Sequence, residues 1–189
     1  MLKAAIEFIL RNSAKFEWSV SGLGKLRLYL DEKREWRLHV WDRRLRGENV
    51  STIHDHPWDF VSDIIVGELV NQRYYLANPG RGISYNFQRI RCGVGGGPVG
   101  DSMLTRLEGA KLERYREGNA YLQDAEEVHE TAALDGTVTL VRRKFREDVD
   151  HANVYWPINC DWVDAEPRAA TPEEVAAITS RSLHLWFGR

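Results

Sequence analysis

The sequence has 189 residues, which is enough for one domain with a sizeable hydrophobic core. Hydrophobic residues make up 43% and charged residues 29% of the chain, as in an ordinary globular protein, and the formal net charge is −2. So small a net charge gives no overall field that would draw the protein to nucleic acid or to a membrane surface. We therefore expect neither as a partner.

The cysteines and the N-terminal segment bear on the cellular compartment. Cys92 and Cys160 show no C-x-x-C spacing, which favours a reduced protein over a disulfide scaffold, although one disulfide is compatible with the sequence. Near the N-terminus, Glu7 and Arg11 interrupt the apolar pattern, so the continuous apolar stretch of a signal peptide is missing. No stretch is long enough to cross a membrane. We expect a cytoplasmic location.

The first part of the chain predicts one helix followed by strands. Residues 3–11 have a helical apolar pattern. The segments KLRLYLDE and EWRLHVWDRRLR each alternate between an apolar and a more polar face, as strands do, and DEKRE between them predicts a hairpin turn. DFVSDIIVGELVNQRYYL is again β-rich, with a bend at Gly67, and ANPGRG predicts a turn before the alternating segment ISYNFQRIRCG.

The second part of the chain predicts more strands and a final helix. VGGGPVGDS at 94–102 is typical of a flexible loop, and MLTRLEGAKLERYREGNAYLQ predicts short strands or turns. EVHETAALDGTVTLVRRKF predicts a β-hairpin around Asp135-Gly136. The last segment predicts a helix capped by Thr171, with Pro172 at its first position and Glu174 at the capping-box position.

The order of elements predicts the fold class. A helix, about eight to ten short strands and a second helix, without crossover helices, favour an all-β sandwich or barrel. We expect a single domain over residues 1–189, with the barrel at about 25–145 and helical extensions at both ends.

Two histidines stand close together in STIHDHPWDF, at the opening of a strand-forming stretch. Side chains two positions apart in a strand share one face, so His54 and His56 can bind one metal ion, although structural histidines fit the pair equally well. A catalytic first-row metal normally has at least three protein ligands. His129, at the start of the predicted hairpin, is our third candidate, and His39 is a mid-strand histidine that can reach a barrel interior.

The spacing of these residues resembles the two-motif pattern of the cupin superfamily. His54, His56 and Gly67 match the first motif, in which H-x-H is followed by a glycine. Gly118 and His129 match the first glycine and the histidine of the second motif. The resemblance covers roughly residues 25–145 and implies a double-stranded β-helix, that is, a jelly-roll barrel.

The chain also departs from the cupin pattern. Phe60 occupies the glutamate position of the first motif, and the proline, second glycine and asparagine of the second motif are replaced by Asp124, Glu126 and Ala133. The resemblance therefore implies a metal site of three histidines without a carboxylate. This donor set is similar to that of the cysteine dioxygenase branch, which holds Fe(II) with three histidines.

The expected chemistry follows from the neutral donor set. Three imidazoles leave the full charge of the metal for an anionic, bidentate substrate, and one further position stays open for dioxygen. We expect a non-haem Fe(II) dioxygenase or oxygenase acting on a small anionic molecule. The alternatives are a zinc- or nickel-dependent lyase, isomerase or hydrolase, and a cupin that binds a small molecule without catalysis; manganese is a further candidate metal, and a homodimer is left open.

Two more residues are candidates for substrate contacts. Phe60 is expected to line the pocket where other cupins place a fourth ligand. Arg73 would hold a substrate carboxylate if it points into the barrel, although a surface position is the alternative. The strand TVTLVRRKF lacks the serine, histidine and tyrosine set of the thiol dioxygenases, so cysteine is a doubtful substrate.

Overall fold

A computed structural model describes residues 1–91, 97–161 and 167–188. The fold is mostly β, with antiparallel strands and one α-helix towards each end of the chain, as the sequence predicts. The helices are α1 (Leu2–Arg11) and α2 (Pro172–Trp186), and a short 3-10 turn covers Ser13–Lys15. The strands are β1 (Ser19–Ser21), β2 (Leu23–Tyr29), β3 (Trp36–Arg46), β4 (Ile53–His54), β5 (Trp58–Val66), β6 (Glu68–Leu76), β7 (Ile83–Arg91), β8 (Pro98–Arg116), β9 (Ala120–Gln123), β10 (His129–Ala133), β11 (Val138–Phe145), β12 (His151–Pro157) and β13 (Arg168–Ala169).

The strands form two antiparallel sheets. The first sheet has the order β13-β1-β2-β3-β11-β5-β9. The second contains β10, β4, β12, β7, β8 and β6 and closes on itself, because β8 pairs with β7 along its first half and with β6 along its second half. β12 lies beyond residues 25–145, yet it connects β4 to β7 within the second sheet.

Both faces of the first sheet are covered. On one face, Leu26 and Leu38 pack in a hydrophobic cluster with Ile6 of α1 and Ile178 of α2. The alternate residues of β2, β3, β5 and β11 face the second sheet and line a cavity between the two sheets. The apolar face that the sequence shows in β2 and β3 is therefore the helix-covered face, and the more polar face points into the cavity.

The predicted hairpin around Asp135-Gly136 is wrong. The dipeptide does form a tight turn, in which Gly136 has a φ of +81°. However, β10 before the turn pairs with β4 and β6, whereas β11 after it pairs with β3 and β5, so the turn joins the two sheets. Gly136 N donates to Trp41 O at 2.7 Å and Ser182 Oγ donates to Gly136 O at 2.7 Å, and these contacts hold the turn against β3 and α2.

Residues 98–116 also differ from the prediction. They form the single long strand β8, where the sequence predicts a flexible loop up to residue 102 and short strands or turns after it. Backbone pairing to two different strands sustains β8, and such partners leave no local pattern in the sequence. Residues 94–96 of the predicted loop and Cys92 lie outside the described residues, and Cys160 is exposed.

The number of strands is larger than predicted. Thirteen strands are present in the described residues, against the expected eight to ten. Three of them, β1, β4 and β13, contain only two or three residues. Strands of that length are too short to show alternating hydrophobicity.

The final helix begins as predicted. Thr171 Oγ1 accepts a hydrogen bond from Glu174 N at 3.2 Å, and the Glu174 carboxylate accepts one from Thr171 N at 2.9 Å. This is a complete capping box, with Pro172 at the first helical position. Within the described ranges, no helix combines the length and the apolar character needed to cross a membrane.

Candidate metal centre

Strand pairing in the second sheet positions the predicted histidines. His54 ends β4, and His129 begins β10 directly opposite it. His56 lies two residues further on, just before β5. Asp55 between them is only 2% exposed and accepts hydrogen bonds from Asn153 N at 2.6 Å and Asn153 Nδ2 at 2.7 Å. These bonds anchor the H-D-H segment to β12 and hold both flanking imidazoles on the cavity side.

The three histidines come together in one group, called the histidine cluster below. One ring nitrogen of each of His54, His56 and His129 lies within 4.8 Å of those of the other two. His56 Nε2 and His129 Nε2 are 3.1 Å apart. The sequence motif therefore brings together the three side chains that it named as metal ligands.

Hydrogen bonds set the tautomers of two rings in the histidine cluster. His54 Nδ1 lies 2.8 Å from Thr52 O, and a carbonyl oxygen only accepts, so Nδ1 carries the proton. His129 Nδ1 lies 2.8 Å from Asn71 Oδ1 and donates to it in the same way. In both rings the Nε2 lone pair is left free for a metal ion.

A buried polar network supports His129 from behind. Asn71 and Gln123 are both 0% exposed, and Asn71 Nδ2 donates to Gln123 Oε1 at 3.1 Å. Gln123 Nε2 donates in turn to the Glu127 carboxylate at 2.8 Å. This network fixes the orientation of the Asn71 amide and, through it, that of His129. Sequence reasoning missed it, because the alternate positions 69, 71 and 73 of β6 hold Leu, Asn and Arg and show no apolar face on which Asn71 would stand out.

The histidine cluster is electrically neutral near pH 7. Burial is the main cause that lowers the pKa of His54 to about 4 and the pKa values of His56 and His129 well below their usual value. Two neutral rings with Nε2 atoms 3.1 Å apart either share a proton or direct their lone pairs at a common cation. Three neutral imidazoles in a shielded site are a donor set that fits a divalent first-row metal.

Aromatic side chains wall the histidine cluster. Phe60 is 7% exposed, lines the cavity as expected, and its ring centroid lies 5.3 Å from that of His56 and 6.0 Å from that of His129. Trp58 stacks on His56 with a centroid distance of 5.1 Å. A phenyl ring cannot ligate a metal, so these residues shield the site and contribute no donor.

The structure places Arg73 outside the cavity. Its backbone pairs with that of His129, but its guanidinium donates to the Glu127 carboxylate at 3.0 Å and to Leu122 O at 2.6 Å. Arg73 Nε also lies 3.3 Å from Glu113 Oε2. Arg73 is not among the described residues that line the cavity, and its charge is already paired with Glu113 and Glu127.

Four cations of the first sheet line the cavity together with the histidine cluster. These are Lys25, Arg27, Arg37 and Arg143, in a space of about 240 Å³. Burial, followed by repulsion from Arg27 and Arg37, lowers the pKa of Lys25 to about 7, and its ammonium lies 4.4 Å from the centroid of the Trp41 ring. Sequence reasoning did not select these residues, although their alternation along β2 and β3 was visible.

Two comparisons with known proteins found no match. No protein-family model matches the chain, and no curated protein matches it at a significant level. The proposed function therefore depends on the residues of this chain and on their arrangement.

Proposed function

We propose that this protein is a cupin-type metal enzyme in which His54, His56 and His129 hold a divalent metal ion. The observation that carries the proposal is the convergence of three ring nitrogens within 4.8 Å of one another at the wall of a cavity. Two facing antiparallel sheets with the ligand candidates between them also support a jelly-roll barrel of the cupin kind. The preferred metal is Fe(II), and the preferred reaction is oxygenation of a small, anionic, metal-chelating substrate.

The character of the cavity supports this choice of reaction. Bound Fe(II) would supply positions for a substrate and for dioxygen, together with the electrons that activate dioxygen. Among the described residues no carboxylate joins the histidine cluster, so the charge of the metal is left for an anionic substrate to neutralise. Trp58 and Phe60 exclude water from that side, and the Lys25 ammonium raises the local concentration of anions.

Two groups of the chain keep the imidazoles ready for the metal. Thr52 O and Asn71 Oδ1 accept the Nδ1 protons of His54 and His129, so neither ring has to change its tautomer on binding. The fully buried Asn71–Gln123 pair holds this arrangement rigid. Such preorganisation stabilises the bound metal without any group of the chain becoming charged.

A zinc- or nickel-dependent lyase, isomerase or hydrolase is the second candidate, and one observation favours it. Lys25 lines the cavity and has a pKa of about 7, because burial disfavours its charged form. A lysine with that pKa can accept and return a proton near neutral pH, as lyases and isomerases require. Zinc is also well served by three imidazoles, and manganese is a further candidate.

Metal analysis combined with oxygen uptake tests the proposal. The protein is purified from cells supplied with iron and zinc, its metal content is measured, and oxygen consumption by iron-loaded protein is followed with thiol, diketone and keto-acid candidates. We expect one iron per chain and uptake that is abolished in His129→Ala but kept in His184→Ala, a matched change at an exposed helix position. If the purified protein contains zinc alone and consumes no oxygen after iron loading, the dioxygenase is excluded in favour of the second candidate. Failure to bind any divalent metal would contradict the proposal that the protein is a metal enzyme.

A further inference from the structure

Three of the four arginines close to the ring of Tyr29 also line the cavity, and the fourth, Arg34, lies 5.0 Å from the ring centroid without lining it. The guanidinium carbons of Arg27, Arg37 and Arg143 lie 5.1, 5.0 and 6.0 Å from the ring centroid of Tyr29. All three arginines line the inner cavity and also a wider outer cleft of about 1160 Å³. They therefore stand where the cleft narrows into the cavity, and we call them the arginine neck.

Two arginines of the neck are fixed, and the third has a donor to spare. Arg143 donates from Nε to Arg34 O at 3.0 Å and also from Nη2 to the same oxygen, and Arg27 Nε donates to Ser19 Oγ at 3.2 Å. Arg37 is held between Tyr29 and Trp58, with its guanidinium carbon 5.1 Å from the Trp58 ring centroid. Its Nε is buried and has no hydrogen-bond partner among the described residues.

Among the described residues, little negative charge balances these arginines on the cavity side, whereas Glu17 and Asp150 line the outer cleft and Asp31 attracts Arg143. Lys25 adds a fourth cation to the same cavity, and Asp55 is the one carboxylate among the described residues that line it. Asp55 is engaged by two hydrogen bonds from Asn153. Burial and the neighbouring Arg143 lower the pKa of Arg37 to about 9, which reflects the cost of holding these charges together without an anion.

A second polar group of the cavity also lacks a partner. His39 is 6% exposed, lines the cavity, and its Nε2 is buried without a hydrogen bond among the described residues. His39 is the direct cross-strand neighbour of Arg27. Buried polar groups are normally hydrogen-bonded, so unpaired nitrogens on both His39 and Arg37 indicate a site that is completed by a ligand.

We propose that the arginine neck, together with Lys25, binds a second anionic group of the substrate, at the end remote from the metal. The substrate class is then a small compound with at least two oxoanion groups, each a carboxylate or a phosphate. The assignment of the other end of the substrate to the metal rests on the function proposed above. Anion binding at the arginine neck does not require the metal. Planar guanidiniums suit both oxoanions, because each can present two parallel N–H donors.

Calorimetric titration of metal-free protein tests the neck directly. The probes are citrate for the carboxylate class, pyrophosphate for the phosphate class, and acetate as a monoanion control. We expect citrate or pyrophosphate to bind at least about tenfold more tightly than acetate, with an affinity that falls as salt is added. The tighter of the two probes identifies the oxoanion that the neck prefers.

Variants distinguish specific anion binding at the arginine neck from non-specific electrostatic attraction of anions to the protein. Arg37→Gln removes the free donor and should weaken the tighter probe by about tenfold or more, which is the loss expected for a charge-assisted hydrogen bond. Arg37→Lys keeps the charge but loses the planar fork, so it should weaken binding by a smaller factor, and thermal melting of both variants checks that they fold. Arg46→Gln removes an exposed arginine of β3 and should leave the affinity unchanged.

The outcomes distinguish this inference from the proposed function. If His129→Ala loses metal but keeps polyanion binding, anion binding at the arginine neck is independent of the histidine cluster. Two results would contradict anion binding at the arginine neck, even when the metal site is intact. The first is that neither polyanion binds more tightly than acetate, and the second is that Arg46→Gln weakens binding as much as Arg37→Gln.

Discussion

His129 on β10 is the direct cross-strand neighbour of His54 on β4. On its other edge β10 pairs with β6, where Asn71 accepts the hydrogen bond from His129 Nδ1 at 2.8 Å. Three strands that are distant in sequence therefore supply two candidate ligands and the group that orients one of them. The precision of the histidine cluster depends on the pairing of the second sheet.

Asn71 should control metal affinity without touching the metal. Asn71→Leu removes the acceptor of the His129 Nδ1 proton, so the ring loses its fixed tautomer. We expect the metal dissociation constant to rise by about 10–100-fold, as for other groups that orient metal ligands. Competition with a chelating dye measures this change. Asn71→Asp keeps an acceptor oxygen and should recover most of the affinity.

The matched control for this change is Asn78→Ala, at an exposed turn position next to β6. It should leave the dissociation constant unchanged. Equal metal affinity in Asn71→Leu and in the unmodified protein would show that the hydrogen bond to His129 has no role in metal binding.

The capping box of α2 should contribute to stability in a pH-dependent way. Hydrogen bonds from Arg168 and from Thr171 N hold the pKa of Glu174 at about 2, below its ordinary value. Because the folded-state pKa is depressed, the stabilisation is present above the ordinary carboxyl pKa of about 4.3 and is lost as the pH falls towards 2. Glu174→Gln should therefore lower the free energy of unfolding at neutral pH, and the difference should shrink below about pH 4.

Urea unfolding at pH 7 and at pH 3 measures this effect, with Glu173→Gln as the control. Glu173 is also in the first turn of α2 but has no part in the capping box, so its loss removes only a helix-dipole interaction. If both changes lower stability equally and with the same pH dependence, the capping box has no special contribution.

Features that depend on neighbouring residues were predictable from the sequence. The capping box needs only Thr171, Pro172 and Glu174, and these lie within one helical turn. Strand alternation over three residues predicts that His54 and His56 lie on the same face. The third ligand candidate, His129, was accessible because the motif resemblance supplied the long-range relationship that the local pattern lacks.

Features that depend on distant partners were not predictable. Asp135-Gly136 has the local chemistry of a hairpin, but nothing nearby shows that its two flanking strands belong to different sheets. The alternation in β3 placed Arg37 and His39 on one face, yet the usual expectation puts the apolar face inside. Here α1 and α2 cover the apolar face, so the polar face borders the cavity. Arg37 therefore lines the cavity, whereas the sequence candidate Arg73 does not.

Lys25 should make the stability of the metal-free protein depend on pH. Burial and the nearby Arg27 and Arg37 lower its pKa from 10.5 to about 7. Between these two values the unfolded chain binds more protons than the folded chain, so stability rises with pH, and the full cost of the buried charge is present below about pH 7. Lys25→Met removes that cost. It should raise the free energy of unfolding relative to the unmodified protein most at about pH 6, and progressively less up to about pH 9.

Urea unfolding at several pH values checks this difference, and subtraction of the two curves cancels the contributions of groups that do not interact with Lys25. Lys111→Met, a change at an exposed lysine of β8, should show no such trend. A constant difference between Lys25→Met and the unmodified protein across this range would mean that Lys25 keeps an ordinary pKa. The same variant should bind polyanions more weakly at about pH 6, because it removes one of the four cavity cations.

Phe60 should decide the metal preference of the histidine cluster. Its ring lies 5.3 Å from that of His56 and is 7% exposed, so Phe60→Glu introduces a carboxylate beside the three imidazoles. A fourth, anionic donor should tighten binding of divalent metals and shift the preference towards manganese and iron, which suit oxygen ligands. In the absence of metal the buried carboxylate should lower the melting temperature, and added metal should restore it. Elemental analysis after growth with mixed metals and melting curves with and without metal measure both effects.

Phe145→Glu, at a half-exposed position of β11, is the matched control. It should change neither the ratio of bound metals nor the effect of added metal on the melting temperature. If Phe60→Glu lowers the melting temperature and added metal gives no recovery, the carboxylate does not reach the metal, and Phe60 does not occupy the place of a fourth ligand.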